Sequence, residues 1–219
     1  VVTRVAKSHI RVGSFQYLAT QGDIEGLEKL VDYALSCHFP EIDTRAEQRY
    51  VDFLTAGIDK QIELIISWMR VGFIHAMMNQ FDFDTVFSSI DHQGRYAFGN
   101  QPNIANWNCA RLAESLLPLF KNEQQALSLL SSAVNSFAEK FNHAFTTMWR
   151  RKLGLLDEHD DNQALVTELL TLMQQNNLDY TNTFNALTES LLADFALPDS
   201  IKGWAAKWRV RTSAESYDI

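Results

Sequence analysis

The chain has 219 residues, of which 46% are hydrophobic and 21% charged, and it carries a formal net charge of −8 at pH 7. This composition is typical of a folded globular protein and excludes wholesale disorder, which requires more charge and fewer aromatic residues. The acidic balance argues against broad nucleic-acid binding, because such binding relies on clustered lysine and arginine. We therefore expect no nucleic-acid partner.

The cysteines and the lengths of the apolar stretches limit the kinds of site and the cellular location that we expect. The two cysteines, Cys37 and Cys109, form no CxxC pair, so they indicate neither a zinc site nor a disulfide framework. The longest apolar stretches, such as residues 62–69, are much shorter than the roughly 18 residues that a transmembrane helix needs. The first residues include no initiator methionine and no signal-peptide pattern. We expect a cytoplasmic protein with no membrane partner, in a chain that begins inside a longer protein.

The first elements follow from residue type and spacing. Residues 1–13 are rich in β-branched side chains and end at a glycine, which predicts a short N-terminal strand and a turn. The apolar spacing of residues 14–38 predicts two helices with a break near Asp23, which can cap the second. Pro40 should stop that helix.

The next segment contains the most regular pattern. Over residues 44–79 apolar side chains recur at spacings of three and four, which predicts one long helix. Thr44 and Glu47 form a capping-box pattern at its start. Residues 80–103 are dense in Asp, Ser, Gly and Pro and predict a long loop, which in a compact domain is usually functional.

Helical patterns dominate the remainder. We expect one mainly α domain over residues 1–219. The predicted helices run over about 102–120, 123–153, 162–176, 180–195 and 200–211.

Two arginines are the first candidates for chemistry. Arg4 and Arg11 could clamp a phosphate group, because a guanidinium presents a rigid fork of donors that matches phosphate oxygens. From composition alone, surface residues with modest ion pairs are the more common case.

Other polar candidates have structural alternatives. His75 lies at a predicted junction of helix and loop, but a single histidine is more often a hydrogen-bonded boundary residue. The histidines show no HxxxH spacing, so we predict no zinc site. Asp82, Asp84 and Asp91 could in principle bind Mg²⁺, but solvated turn formation is the more common role of such residues and is our expectation.

The tryptophans and the glycines indicate structure more than chemistry. The five tryptophans occur at helical spacing among aliphatic residues, which predicts core or groove positions. They are Trp68, Trp107, Trp149, Trp204 and Trp208. Neither GxGxxG nor GxxxxGK[ST] occurs, so no glycine-rich phosphate loop is present in this sequence.

Several long stretches together resemble one family. They are TRVAKSHIRVGSFQYLA at 3–19, WMRVGFIHAMMN at 68–79, DHQGRYAFGNQPNIANWNCARLAESLLPLF at 91–120, RRKLGL at 150–155 and DYTNTF at 179–184. The chain is similar through them to the SelO family, pseudokinases that transfer AMP from ATP to proteins. The resemblance covers nearly the whole chain and implies the helical C-lobe side of a protein-kinase-like α+β fold, with the N-lobe outside the chain.

The resemblance also implies an activity and its partners. In the family, ATP binds in a flipped orientation that exposes the α-phosphate, and AMP passes to a protein hydroxyl. The implied cofactors are ATP and Mg²⁺ or Mn²⁺, and the implied partners are proteins that bear Ser, Thr or Tyr hydroxyls. Arg4 and Arg11 match the family's arginines that contact the ATP phosphates.

The sequence departs from the family after Asn79. There the family continues with TDN and then DYGP, which supply the catalytic base and the metal ligands, whereas this sequence continues with QFDFD. Either the protein has lost the segment, or the printed sequence omits a mobile loop between Asn79 and Gln80, which is our expectation. Asp82 and Asp84 match positions after that segment, so we assign no catalytic residue and no metal ligand in this chain.

Two further interpretations remain open. A true deletion would leave a catalytically inactive nucleotide-binding or scaffold protein, and the same fold could also carry out conventional protein phosphorylation. His92 and Arg95, in the DHQGRY stretch, could line a substrate groove, but we expect them to pin the loop between helices.

Overall fold

The structure is a computed structural model that describes residues 9–74, 76–155, 157, 161–192 and 196–213. Within these ranges the chain is mainly helical, as predicted, and its strand pairing is limited to the bridges Phe73–Met77 and Gln80–Asp179. The helices are α1 Val12–Gln21, α2 Ile24–His38, α3 Arg49–Arg70, α4 Gln101–Leu116, α5 Glu123–Lys152, α6 Asp161–Gln175, α7 Tyr180–Leu192 and α8 Asp199–Ser213. Short 3₁₀ segments, Phe98–Asn100 and Leu117–Leu119, precede and follow α4.

The N-terminal segment is described only in part. Residues 1–8 lie outside the described residues, so the strand stays a prediction there. The predicted turn at Gly13 is wrong, because Gly13 is the second residue of α1. A helical glycine costs about 1 kcal/mol relative to alanine, and packing can offset this cost. Phe15 provides such packing: it is 3% exposed, and its ring centroid lies 5.6 Å from that of Phe53.

The break between α1 and α2 is confirmed. Gly22 adopts φ 69°, and its N–H donates to the carbonyl of Ala19 at the end of α1. The Asp23 carboxylate then caps α2 by accepting from the N–H of Gly26 at 2.9 Å. The helix ends two residues before Pro40, as predicted.

The long helix α3 is shorter than predicted at both ends. The capping box of Thr44 and Glu47 is wrong, since both residues lie in turns before the helix begins at Arg49. The Asp43 carboxylate accepts from the backbone N–H of Arg45 at 2.9 Å and closes one of these turns instead. The five later helices agree with prediction to within a few residues.

The chain divides into two compact units. Unit one contains residues 1–63 and 103–140, and unit two contains 64–102 and 141–219. The single domain over 1–219 stays a prediction.

The core of unit one is formed by aromatic and aliphatic side chains. The ring of Phe53 contacts those of Phe15 and Phe39, and the ring of Tyr50 lies 5.5 Å from that of Phe120. The most deeply buried aliphatic residues of this unit include Leu27, Val31, Leu35, Leu54 and Ile58. Together they anchor α1 and α2 against the first part of α3.

The core of unit two includes a tryptophan pair on α8. The rings of Trp204 and Trp208 stack with centroids 5.8 Å apart and planes 11° from parallel. Trp204 Nε1 donates to the carbonyl of Leu165 at 2.8 Å, and Trp208 Nε1 donates to that of Leu153 at 2.7 Å. These bonds satisfy the buried indole donors and join α8 to α6 and to the end of α5.

Burial of the tryptophans agrees with prediction only in part. Trp149, Trp204 and Trp208 are buried, whereas Trp107 is 46% exposed and carries the guanidinium of Arg111 over its ring at 5.3 Å. Trp107 is therefore not a core residue. None of the described helices combines the length and the apolar character that a bilayer crossing demands.

Candidate functional site

Arg11 is the predicted phosphate ligand that the structure describes. It is exposed and occupies the N-cap of α1, where its carbonyl accepts from the N–H of Ser14 at 2.9 Å. Within the described residues no side chain caps this helix end, and the first turn contains no acidic residue. A helix N-terminus carries partial positive charge and N–H groups without helical partners. Arg11 and the start of α1 therefore form a local cationic, donor-rich surface that suits an anion.

Two other predicted residues cannot be placed. Arg4, the proposed partner of Arg11, lies outside the described residues, and so does His75. The pairing of the two arginines stays a prediction.

The end of α3 explains why the predicted helix is too long. Gly72 adopts φ 69°, its N–H donates to the carbonyl of Met69, and the N–H of Phe73 donates to that of Trp68 at 3.0 Å. This pattern is a Schellman motif. The rings of Trp68 and Phe73 lie 5.6 Å apart and supply its apolar contact. The apolar stripe therefore continues past the helix end, because Phe73 packs within the cap itself.

Tyr180, the first residue of α7, bonds the end of α3. Its hydroxyl donates to the carbonyl of Met69 at 2.8 Å and lies 3.1 Å from that of Arg70. Its ring lies against Gly72, where an added Cβ would approach Cδ1 of Tyr180 to 2.8 Å. Tyr180 is 1% exposed, and burial raises the pKa of its hydroxyl far above the ordinary value. The hydroxyl is therefore a neutral donor at physiological pH.

Lys152, the last residue of α5, approaches the same helix end. Its ammonium donates to the carbonyl of Arg70. It also lies over the rings of Phe184, Tyr180 and Trp149, at 4.0, 4.7 and 5.9 Å from their centroids. Burial, and to a smaller extent the charge of Arg70, lowers the pKa of Lys152 to about 8. The group thus retains most of its charge at neutral pH while it is partly removed from water.

The junction between Asn79 and Gln80 lies on a short paired segment. The N–H of Tyr180 donates to the carbonyl of Asn79 at 2.6 Å, and the N–H of Phe81 donates to that of Leu178 at 2.8 Å. Asn79 and Gln80 are exposed, whereas Met78 and Phe81 on either side are 2% and 1% exposed. The junction is therefore a surface position between two buried anchors.

The acidic residues after the junction hold turns. The carboxylate of Asp82 accepts from the N–H of Asp84 at 3.0 Å and from Nε2 of Gln174 at 2.8 Å. Asp91 accepts from the N–H groups of Arg95 and Tyr96 at 2.8 and 2.7 Å. For Asp82 and Asp91 these bonds support the predicted turn-forming role.

Side chains of the DHQGRY loop and of the residues after it bond the loop backbone, while the pinning role of His92 and Arg95 stays a prediction. His92 and Arg95 are exposed, and the guanidinium of Arg95 lies 5.8 Å from the ring centroid of Tyr96. Asp91 supplies the loop's side-chain acceptor, and Nδ2 of Asn100 donates to the carbonyl of Arg95 at 2.8 Å. Sequence reasoning missed Asn100. Its position in the same stretch as Asp91 was the available signal, because both side chains can bond nearby backbone.

The described residues do not form a metal centre. Among them no group of three or more His, Cys, Asp or Glu is placed to hold a metal ion. A site that holds Mg²⁺ or Mn²⁺ by three or more such side chains therefore does not fit the described residues.

Comparison with known proteins identifies the family. The model of the family described as "Protein adenylyltransferase SelO" matches residues 1–82 and 76–204. The chain belongs to the SelO family.

Curated relatives agree with this assignment. A protein nucleotidyltransferase YdiU of Pseudoalteromonas translucida is 54% identical over all of this chain and 51% of its own length. The YdiU proteins of Geobacillus kaustophilus and Halalkalibacterium halodurans are 45% and 42% identical, over 99% and 96% of this chain and 49% and 48% of their own lengths. The chain spans about half the length of these SelO-family relatives.

The match to the SelO family is interrupted near the junction. Its two parts meet and overlap at residues 76–82, which include Asn79 and Gln80. The alignment with the Pseudoalteromonas translucida protein runs over 240 positions, whereas this chain has 219 residues, so gaps fall opposite this chain. Both observations fit a segment that relatives contain and this sequence does not.

Proposed function

We propose that the full-length protein transfers AMP from ATP to Ser, Thr or Tyr hydroxyls of other proteins. Membership of the SelO adenylyltransferase family carries this proposal. The 54% identity to a named protein nucleotidyltransferase across the whole chain supports it. A cytoplasmic location and protein substrates are parts of the same proposal.

Arg11 would hold the ATP phosphates in this reaction. It combines an exposed guanidinium with the N-terminal end of α1, and within the described residues it forms no ion pair. A phosphate oxygen there could accept from the guanidinium and from a first-turn N–H. Arg4 would be the second phosphate ligand, as the family resemblance implies.

ATP and Mg²⁺ or Mn²⁺ are the proposed cofactors. A divalent metal bound with ATP would neutralise charge that develops on the phosphates. Because the described residues contain no cluster of three or more ligating side chains, no step is assigned to the ion, and we propose that its protein ligands lie elsewhere in the full-length protein.

We place the catalytic segment of the full-length protein between Asn79 and Gln80. An insertion there would leave the buried anchors Met78 and Phe81 in place, since the two residues at the junction are exposed. The interrupted family match at 76–82 supports the same position. If the protein instead lacks this segment, it would be the catalytically inactive nucleotide-binding or scaffold protein that is the alternative interpretation of the sequence.

Peptide mapping separates these two cases. The sequence has no lysine or arginine between Arg70 and Arg95, so a continuous chain yields a single tryptic peptide covering 71–95. Recovery of that peptide from the full-length protein would establish a true deletion. We expect instead a peptide that begins at Val71 and in which Asn79 is followed by a residue other than Gln80.

Labelled ATP tests the reaction. Incubation with ATP labelled on the α-phosphate should label protein, and ATP labelled on the γ-phosphate should not. The reverse result would indicate conventional phosphorylation, and no label from either would contradict both enzymatic functions.

Arginine variants test the phosphate role. We expect Arg11→Ala to weaken ATP binding at least fivefold, measured by calorimetry on the full-length protein. Arg45→Ala is a matched control, since the side chain of Arg45 is 90% exposed and bonds only nearby Asp43 among the described residues. Equal affinities of the two variants would contradict the role of Arg11.

A further inference from the structure

The last carbonyls of α3 are satisfied by side chains from two other helices. The final carbonyls of a helix lack partners within it. The carbonyl of Met69 accepts from the N–H of Gly72 at 3.3 Å and from the hydroxyl of Tyr180 at 2.8 Å. The carbonyl of Arg70 accepts from Lys152 and lies 3.1 Å from the same hydroxyl. The helix end is therefore fixed by α5 and α7 as well as by its own turn.

Tyr180 also bonds the far end of the loop that follows α3. Its backbone N–H donates to the carbonyl of Asn79, 2.6 Å away. Within the loop, the N–H of Met78 donates to the carbonyl of Gly72 at 2.8 Å, so the two ends are drawn together. Tyr180 thus bonds the end of α3, at Met69 and Arg70, and also Asn79, the last residue of the segment 71–79 that follows, which we term the α3–junction loop.

A lysine is an unusual residue at position 152, because the site is partly buried. Within the described residues it has no carboxylate partner, and burial disfavours its charge. An apolar side chain could fill similar space without removing a charge from water. The ammonium instead contributes a donor to Arg70 and interacts with the faces of three rings, an arrangement that attracts a cation by about 0.5–2 kcal/mol. Its charge and directional bond hold the helix end and the ring of Tyr180 in one arrangement.

We infer that Lys152 and Tyr180 are positioning residues for AMP transfer, because they fix the α3–junction loop and thereby the backbone that leads into the catalytic segment at Asn79. This inference rests on the proposed function and on the proposed position of that segment. Neither side chain is assigned contact with ATP. Small displacements of reacting groups lower the rate of a transfer step strongly, so loss of either residue should reduce kcat.

Four variants of the full-length protein test the inference. Tyr180→Phe removes the hydroxyl and keeps the ring, and Lys152→Met removes the charge and keeps most of the volume. Lys152→Arg is the conservative variant, since a guanidinium can also donate to a carbonyl and lie over an aromatic ring. Trp204→Phe is the control, because it removes a buried bond to a backbone carbonyl on α6 and not to α3 or to the α3–junction loop.

Two measurements are made at a temperature at which every variant is folded. Hydrogen exchange followed by mass spectrometry on peptides that cover 71–79 reports the loop independently of activity. Transfer from α-labelled ATP gives kcat and the KM for ATP. We expect Tyr180→Phe and Lys152→Met to exchange these amides at least fivefold faster and to lower kcat at least tenfold, with KM changed less than twofold. Lys152→Arg should recover most of both losses, and Trp204→Phe should show neither.

The outcomes separate this inference from the proposed function. Unchanged exchange in Tyr180→Phe and Lys152→Met would overturn the inference whether or not the protein transfers AMP. Faster exchange with wild-type kcat would also overturn it, because loosening the loop would then have no effect on transfer. If the wild-type protein transfers no AMP, the proposed function fails, and a role of these residues in AMP transfer fails with it.

Discussion

A Cβ atom added to Gly72 would lie 2.8 Å from Cδ1 of Tyr180, closer than real side chains approach. The backbone of Gly72 is also in the left-handed region, at φ 69°, which L side chains rarely adopt. We therefore expect Gly72→Ala to destabilise the protein by about 1–3 kcal/mol, measured from urea unfolding.

Gly203→Ala is the matched control for that variant. Gly203 lies within α8, and nothing is within 4 Å of its added Cβ. Because alanine favours a helix interior over glycine, this change should stabilise the protein by up to about 1 kcal/mol. Similar unfolding midpoints for the two alanine variants would show that Gly72 is not constrained by Tyr180.

The buried hydrogen bond of the Trp204 indole should contribute measurably to the free energy of unfolding. Trp204→Phe keeps an aromatic ring but leaves the carbonyl of Leu165 without its indole donor, which should cost about 1–3 kcal/mol in the free energy of unfolding. Trp107→Phe should change this free energy by less than about 0.5 kcal/mol, since Trp107 is 46% exposed. Urea unfolding curves of the two variants provide the comparison, and equal losses would contradict the assignment.

The two cysteines should differ sharply in reactivity. Cys37 is exposed, whereas Cys109 is buried, and burial raises the pKa of its thiol to about 12. The thiolate is the reactive form, so a maleimide at pH 7 should label Cys37 rapidly and Cys109 only after unfolding. Mass spectrometry of tryptic peptides identifies the labelled residue. Rapid labelling of Cys109 in the native protein would contradict its burial.

Lys152 should make stability depend on pH in a defined window. The pKa of Lys152 in the folded protein is about 8, below the ordinary value of 10.5. The charged and titratable groups that face it are Arg70 and the neutral hydroxyl of Tyr180. Between pH 8 and 10.5 the unfolded chain therefore binds more protons at this residue than the folded chain does. The free energy of unfolding of the wild type should rise with pH across this window, relative to Lys152→Met.

Urea unfolding of both proteins at pH 7, 8.5 and 10 measures this difference. Groups other than Lys152 contribute similarly to the two proteins and largely cancel. A difference that stays constant with pH would mean that Lys152 titrates as an ordinary lysine.

Local signals predicted many of the helices. The cap of α2 depends on Asp23 and a residue three positions later, so it can be read from adjacent sequence. The end of α3 was predicted too late because periodicity counts apolar side chains and not backbone conformation. Phe73 continues the apolar stripe while packing on Trp68 inside the cap, and Gly72 was the signal that would have ended the helix at the right place.

The positioning contacts could not be predicted from sequence. Lys152 bonds a carbonyl 82 residues earlier in the chain, and the Tyr180 hydroxyl bonds one 111 residues earlier. Neither residue type indicates such a partner, since the acceptors are backbone atoms present at every position. For Arg11, the proposed phosphate ligand, the situation is the reverse. Arg11 was chosen by family resemblance, and its location at the start of α1 adds a physical reason for that choice.

The separation between Tyr180 and the end of α3 also bears on how the protein folds. Contacts between distant parts of a chain form only after the loss of chain entropy on closing the intervening segment. Helix α3 can form from local interactions, but the carbonyls of Met69 and Arg70 obtain the hydroxyl of Tyr180, and the carbonyl of Asn79 obtains its backbone N–H, only when α7 has docked. The backbone amides of residues 71–79 should therefore gain protection from hydrogen exchange late in refolding. A newly made protein would form its helices before this segment reaches its final arrangement.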